Sequence, residues 1–166
     1  MNILVRKPYN GGKDIFIIKD AKLKFKNFSG KQGKPDRNQN GSRTVNVVVD
    51  EEDKILLEGK GYTVNIWLNP KTNDYEYTVR LNIKMQPGNM AKIRQRVGNN
   101  PEFIYLDAIS IDGLDGCVIA HADVAWSYGI NHHTGKPVAY LNEMDVVIVP
   151  SIFAEDSDDY YIESHD

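Results

Sequence analysis

Apolar and polar residues alternate along much of this chain, and a period of two predicts β-strands with one buried face. The first clear case lies within residues 14–28. Its apolar face is expected to point towards the core and comprises Ala21, Leu23 and Phe25. Its outer face comprises Lys22, Lys24, Lys26 and, in the same phase, Phe28. An aromatic side chain among cations favours a binding face over a solvated edge on which lysines only block aggregation.

A polar loop at residues 29–42 follows this strand and leads into a second strand, Arg43–Val49, that is rich in β-branched residues. The loop contains three glycines, one proline and three cations, which are Lys31, Lys34 and Arg37. A loop of this length is longer than usual for a hairpin and is often functional, although a loop tip without a role would look the same. Strand, loop and strand together predict a hairpin that could hold a polyanion.

Two further alternating segments predict a second hairpin with a similar outer face. Residues 62–68 and 75–85 are joined by a turn that contains Pro, Asn and Asp. The predicted core faces comprise Tyr62, Val64, Ile66 and Leu68 on one strand, and Tyr77, Val79, Leu81 and Ile83 on the other. The predicted outer faces bring together Trp67, Arg80 and Lys84, which form a second basic and aromatic set.

The remaining pattern predicts an all-β protein with one or two short helices. A helical turn is expected after Asp50, which can cap it, and before Gly59 and Gly61, which end it. The segment DVAWSYGI and residues 137–149, joined by the turn NHHTGK, predict the closing strands. Roughly six strands without a βαβ rhythm favour a small barrel or sandwich. Residues 86–100 fit either a short basic strand or a helical turn.

Charge is distributed unevenly along the chain. Residues 1–49 hold eleven Lys/Arg and three Asp/Glu, whereas residues 101–150 hold one and seven. We expect one packed domain, residues 1–150, ended by Pro150. Residues 151–166 contain six acids and no cation, which predicts an acidic disordered tail. The formal charge of −3 therefore hides an asymmetry that suggests a nucleic-acid-facing half and an acidic interaction tail.

Candidate chemistry favours binding over catalysis. The single cysteine, Cys117, cannot form an internal disulfide, and the sequence has no Walker or dinucleotide glycine motif. No apolar run is long enough for a bilayer and no signal-peptide core is visible, so a cytoplasmic protein without a membrane partner is expected. Cations that follow phosphates and aromatic faces that stack on bases are what a single-stranded nucleic-acid binder needs. The candidate residues are Lys22, Lys24, Lys26, Phe28, Lys31, Lys34, Arg37, Arg43, Trp67, Arg80 and Lys84.

Two other functions fit parts of the pattern. A magnesium-dependent nuclease or resolvase could gather the carboxylates of Asp107, Asp112, Asp115 and Asp123. Turn chemistry explains Asp112 and Asp115 equally well, because both lie beside glycines. A structural adaptor could instead use the basic strands against an acidic partner, without binding DNA.

Two blocks of sequence resemble a known family. KFKNFSG, the basic loop and NGSRTVNVVVD resemble the opening of bacteriophage single-stranded DNA-binding proteins, and DVAWSYGINHHTGKPVAYLNEMDVVIV resembles their closing hairpin. The resemblance implies an OB-fold, a role in phage DNA replication or recombination in the host cytoplasm, single-stranded DNA as partner, no enzymatic activity and no cofactor. The residues that match the family motifs are Lys24, Lys26, Phe28, Arg43, Trp126 and Tyr140.

The acidic end is similar to the tails of bacterial and T7-like single-stranded DNA-binding proteins. This resemblance implies recruitment of replication or recombination proteins, or competition with DNA for a basic groove. Those tails end in phenylalanine, whereas this sequence ends in Asp166, with residues 160–162 as the nearest substitute. A tail that only improves solubility is the alternative. The edge of the first strand could also pair with a second copy of the chain and form a homo-oligomer.

Overall fold

The computed structural model describes residues 1–32 and 41–150. The strands are β1 (Leu4–Arg6), β2 (Ile15–Ile18), β3 (Leu23–Asn27), β4 (Arg43–Val49), β5 (Asn65–Asn69), β6 (Asp74–Ile83), β7 (Met85–Gln86), β8 (Asn89–Met90), β9 (Lys92–Val97), β10 (Ile104–Tyr105), β11 (Ile119–Ile130) and β12 (Pro137–Ile148). The helices are α1 (Glu51–Gly59) and a 3-10 helix at Ser110–Gly116.

The main sheet curves, so that its last strand, β3, returns towards β2 and β11 near the other edge of the sheet. Its strands follow the order β1, β2, β11, β12, β6, β4, β3, and β2 and β3 are consecutive in sequence. Between them, the amide of Ala21 donates to the carbonyl of Ala122 in β11 (2.7 Å). In the described part of the chain no ladder joins β3 to β11, so the sheet is not closed at this seam. A small, partly open Greek-key barrel is the OB-fold arrangement, and the all-β, OB-fold-like prediction is confirmed.

Strand β12 joins the two halves of the sheet. Near its start it runs parallel to β6, with Tyr140 opposite Asn82. Further along it runs parallel to β9, from Glu143 opposite Lys92 to the end of both strands. The parallel contact with β6 places Tyr140 beside the second predicted hairpin, which matters for the site.

The core follows the predicted alternation in most strands. Val45, Val47 and Val49 of β4 are buried against the alternate residues of β6, Val79 and Leu81 among them. In the same core, Phe16 and Trp126 stack with ring centroids 5.9 Å apart, and Trp126 is fully buried. Trp126, which matched a motif of the phage family, therefore builds the core.

Helix α1 begins as the sequence predicts. Asp50 caps it by accepting a hydrogen bond from the Asp53 amide (2.7 Å), and the Asp53 carboxylate in turn accepts a hydrogen bond from the Asp50 amide (3.1 Å). The buried Asp53 carboxylate also accepts the amides of Asn2 and Ile3, so the same helix end holds the start of the chain. Among residues 1–32 and 41–150, neither helix has the length and apolarity needed to cross a membrane.

The predicted phase of the first basic strand is wrong after Lys24. Phe25 adopts a left-handed backbone conformation (φ 52°), and the register with β4 shifts between Lys24 and Asn27. This bulge reverses the two aromatic positions, since a bulge adds an unpaired residue and changes which face follows. Phe25 is 50% exposed, whereas Phe28 is fully buried.

One other expectation is corrected, and one open alternative is decided. Ile66 and Leu68 of β5 are exposed rather than buried, because β5 lies at a sheet edge and pairs with β6 alone. The pattern of residues 86–100 fits either a short basic strand or a helical turn, and the structure shows the strand: β9 contains the basic residues, and β7 and β8 form a two-stranded ribbon before it.

The two ends of the first loop approach each other closely at two glycines. Gly30 and Gly41 both have left-handed backbone conformations, with φ of 71° and 68°. A Cβ atom on Gly30 would collide with the backbone carbonyl of Gly41. Position 30 therefore requires glycine for two reasons, its conformation and the close approach of another backbone.

We expect Gly30→Ala to lower the free energy of unfolding by about 2 kcal/mol or more, from the left-handed conformation and the collision together. Gly61→Ala is the matched control, because Gly61 also has positive φ (88°) but has open space around its Cβ position. The control should lose only about 1 kcal/mol. Denaturant unfolding of both variants measures the difference, and equal losses would show that the Gly30–Gly41 contact is not tight.

Candidate nucleic-acid interface

Hydrogen-bond register places the candidate side chains of three strands in one row. Lys24 of β3 lies opposite Asn46 of β4, and Asn46 lies opposite Arg80 of β6. Side chains on alternate positions of one strand share a face, so Glu76, Arg80 and Asn82 of β6 point the same way. We call this surface the outer face. It comprises Lys22, Lys24, Phe25, Asn46, Trp67, Glu76, Arg80, Asn82, Lys84 and Tyr140.

An aromatic pair lies at one end of the outer face. The ring of Trp67 meets the ring of Phe25 edge to face, with centroids 5.0 Å apart and planes at 87°. The ammonium of Lys24 lies 5.1 Å from the Trp67 ring centroid, within the range of a cation–π interaction. Trp67 is only half-buried and Phe25 is half-exposed, so ring surface remains available to a ligand.

A second aromatic residue lies at the other end of the outer face. The ammonium of Lys84 lies 4.8 Å from the ring centroid of Tyr140. The ring of Tyr140 also packs closely on Gly129, where an added Cβ would lie 3.0 Å from the ring. Tyr140 also lines a cleft of about 480 Å³ that includes Lys13, Lys84, Ser127 and His132. A larger residue at position 129 would therefore crowd the Tyr140 ring beside this basic cleft.

Arg80 occupies the middle of the outer face and is exposed. Within residues 1–32 and 41–150 it forms no ion pair at 4.0 Å or less. From Glu76 to Asn82, six residues along β6, the face extends about 20 Å at the usual rise of a strand. Cations therefore lie between two aromatic positions along a continuous strip.

Lys22 and Lys24 already have an acidic neighbour. Their ammonium groups lie 3.5 Å and 3.6 Å from the two carboxylate oxygens of Glu76. Glu76 pairs directly with Trp67 across the β5–β6 ladder. The outer face thus contains a carboxylate beside its main aromatic residue, which charge counting along the chain did not reveal.

Three of the predicted binding residues have structural roles instead. Phe28 is fully buried and has no ring face for a base. Arg43 donates to the carbonyls of Phe28 (2.7 Å) and Ala108 (3.0 Å) and pairs with Asp112 (2.5 Å). Lys26 reaches across the open seam and donates to the carbonyl of Cys117 (2.8 Å). These groups hold the first hairpin to the 3-10 helix and the residues after it.

Of the three loop cations, only Lys31 lies within the described residues. Lys31 is exposed at the base of the loop, where its backbone exchanges hydrogen bonds with the Asn27 side chain (2.8 and 3.0 Å). Lys34 and Arg37 lie outside the described residues, as does the predicted acidic tail at 151–166.

The four aspartates of the nuclease alternative each bind different partners and do not converge on one site. Asp107 accepts bonds from Ser110, and these bonds lower the pKa of its carboxyl. Asp115 accepts hydrogen bonds from the amides of Phe28 (2.6 Å) and Ser29 (3.1 Å). Asp123 accepts a hydrogen bond from the amide of Asp20 and contacts the ring of His121. Asp112 pairs with Arg43, as above. No group of three His, Cys, Asp or Glu side chains suited to a metal occurs in the described ranges.

Sequence reasoning missed Phe25, Glu76 and Tyr140 as members of one face. Alternation assigns Phe25 to the core, because a bulge leaves no trace in the pattern of apolar and polar residues. Glu76 is in phase with Arg80 and Lys84, so its place on the face could have been read from the period of two. Tyr140 lies more than fifty residues from Lys84 in sequence, and only the parallel β6–β12 contact brings them together.

Three solved structures are similar to this chain at low identity. The single-stranded DNA-binding protein from bacteriophage Enc34 aligns over 100% of both chains, with 8% identity and a TM-score of 0.45. Its C-terminal truncation aligns over 90% of this chain and 96% of its own (8%, 0.44). The same protein in complex with ssDNA aligns over 82% and 88% (9%, 0.43). No family model and no curated protein matches the chain.

The exchanged roles of Phe25 and Phe28 predict a large loss of stability for one alanine variant and a small change for the other. Phe28→Ala should lower the free energy of unfolding by about 3–5 kcal/mol, since it leaves a cavity in the core. Phe25→Ala should change it by about 1 kcal/mol or less, because the ring is half-exposed. Thermal unfolding of the two variants tests this assignment. A larger loss for Phe25→Ala than for Phe28→Ala would contradict the bulge.

Proposed function

We propose that this protein binds single-stranded DNA with little sequence preference and acts in phage DNA replication or recombination. The observation that carries the proposal is the outer face, on which exposed Arg80 lies between the Lys24–Trp67 pair and the Lys84–Tyr140 pair. Cations neutralise phosphates, and aromatic rings stack on any base, so this combination is tolerant of sequence.

A single strand suits this face better than a duplex. Stacking on Trp67, Phe25 or Tyr140 needs unpaired bases, which a duplex does not offer. The strip of about 20 Å along β6 is long enough for several nucleotides, within the usual site size of an OB-fold. Binding residues are then Lys22, Lys24, Phe25, Trp67, Arg80, Lys84 and Tyr140.

The proposed role is protective and not catalytic. The carboxylates that a nuclease would need are engaged in hydrogen bonds and ion pairs that hold loops and the 3-10 helix. In this proposal the acidic residues 151–166 recruit replication or recombination proteins or compete with DNA for the outer face. Their six acids and lack of cations support such a role.

We expect oligo-dT to bind the wild-type protein in fluorescence anisotropy, with an affinity that falls steeply as salt rises. Trp67→Ala should weaken binding by about 5- to 150-fold, the equivalent of about 1–3 kcal/mol of base stacking, and leave the salt dependence nearly unchanged. Trp126 is buried, so quenching of tryptophan fluorescence by oligo-dT should come from Trp67 and vanish in this variant.

The same titration separates stacking from phosphate contact. Arg80→Ala should reduce the slope of log K against log salt by about 0.7, because one phosphate contact is lost. Lys92→Ala removes an exposed cation of β9, which lies off the outer face, and should change little. Absent or salt-independent binding by the wild type would refute the proposed function, and equal effects of Arg80→Ala and Lys92→Ala would refute the assigned face.

A further inference from the structure

Glu76 is an acidic side chain within the proposed DNA-binding face. Its carboxylate lies between the ammonium groups of Lys22 and Lys24, at 3.5 Å and 3.6 Å. The side chain is 17% exposed, and in the described chain its Oε1 atom is buried without a hydrogen-bond partner. One carboxylate therefore stands beside two cations and is satisfied fully by neither.

The distances indicate ion pairs that a ligand can exchange. A charge-assisted hydrogen bond between nitrogen and oxygen is usually about 2.7–2.9 Å long, shorter than both contacts of Glu76. The ammonium of Lys22 is largely open to solvent, with 62% of its side chain exposed, so an incoming phosphate can reach it. Any phosphate that uses these lysines must replace the carboxylate or share the cations with it.

The position of Glu76 couples this exchange to base stacking. Glu76 and Trp67 are direct partners across the β5–β6 ladder, and Lys24 contacts both side chains. A strand that stacks a base on Trp67 brings its phosphate to Lys24 while it gains the stacking interaction. A polyanion without free bases meets the same carboxylate and gains nothing at Trp67.

We propose that Glu76 is a specificity determinant of the proposed function: it masks Lys22 and Lys24 from polyanions that cannot stack on Trp67. The inference rests on single-stranded DNA binding by the outer face. Repulsion that acts on every polyanion, offset by stacking for the correct ligand alone, is how an interface rejects competitors. The carboxylate lowers affinity for all anionic ligands and lowers it most for duplex DNA and heparin, because their higher charge density brings more anionic groups close to Glu76.

The test compares wild type and Glu76→Gln against three probes: oligo-dT, duplex DNA of the same length, and heparin. Glutamine keeps the side-chain shape and removes the charge. We expect the variant to bind duplex DNA and heparin about tenfold more tightly, and oligo-dT about threefold or less more tightly. The slope of log K against log salt for oligo-dT should steepen by about 0.7 for each lysine released.

Glu102→Gln is the matched control, because it makes the same change in net charge at an exposed position after β9, off the outer face. It should leave the ratio of single-strand to duplex affinity unchanged. Lys24→Gln is a second variant that tests the pair from the side of the lysine. It should lower the affinity for duplex DNA about twofold in the wild-type background and about tenfold in the Glu76→Gln background. Thermal unfolding confirms that each variant is folded.

The outcomes separate the two levels of the proposal. A wild-type protein that binds none of the three probes refutes the proposed function and this role of Glu76 together. A wild-type protein that binds oligo-dT, with a Glu76→Gln variant of unchanged selectivity, refutes only the role of Glu76. Equal weakening for all three probes would mean that Glu76 positions the lysines for DNA, which also overturns the proposal.

Discussion

The register break in β3 decides which aromatic residue of the first hairpin faces solvent. The left-handed conformation of Phe25 turns its ring outwards to Trp67, and the following residues then bury Phe28 in the core. Asp115 holds this arrangement by accepting the amides of Phe28 and Ser29. Residues 25–28 thereby contribute both to the core and to the outer face, and the proposed stacking surface depends on this arrangement.

Electrostatics on the outer face are local and do not follow the formal charge. Several acids of residues 101–150 stabilise the fold. Asp112 pairs with Arg43, Asp115 accepts hydrogen bonds from backbone amides, and Asp145 forms a bidentate ion pair with Arg94. That pair lowers the pKa of the Asp145 carboxyl. The cations of Arg80 and Lys84 stay on the surface, so a chain with a net charge of −3 still presents a basic face.

Regular alternation made much of the fold predictable from sequence. The inner residues of β4 and β6, the cap of α1, and the shared face of Trp67, Arg80 and Lys84 all follow from local patterns. The bulge at Phe25 could not be predicted, since a non-glycine residue with positive φ leaves no mark in a hydrophobic pattern. The structural role of Arg43 depends on partners about seventy residues away, which periodicity cannot identify. Exposure of Ile66 and Leu68 follows from the edge position of β5, a property of the whole sheet.

In the proposed complex, a single strand lies along the outer face from Trp67 to Tyr140. Ultraviolet cross-linking of oligo-dT to the full-length protein, with the linked peptides identified by mass spectrometry, tests this placement. We predict adducts on the peptides that contain Phe25, Trp67 and Tyr140, and their suppression by excess unlabelled oligo-dT. Adducts confined to Phe103 and Tyr105, on the far part of the sheet near β9 and β10, would contradict the account.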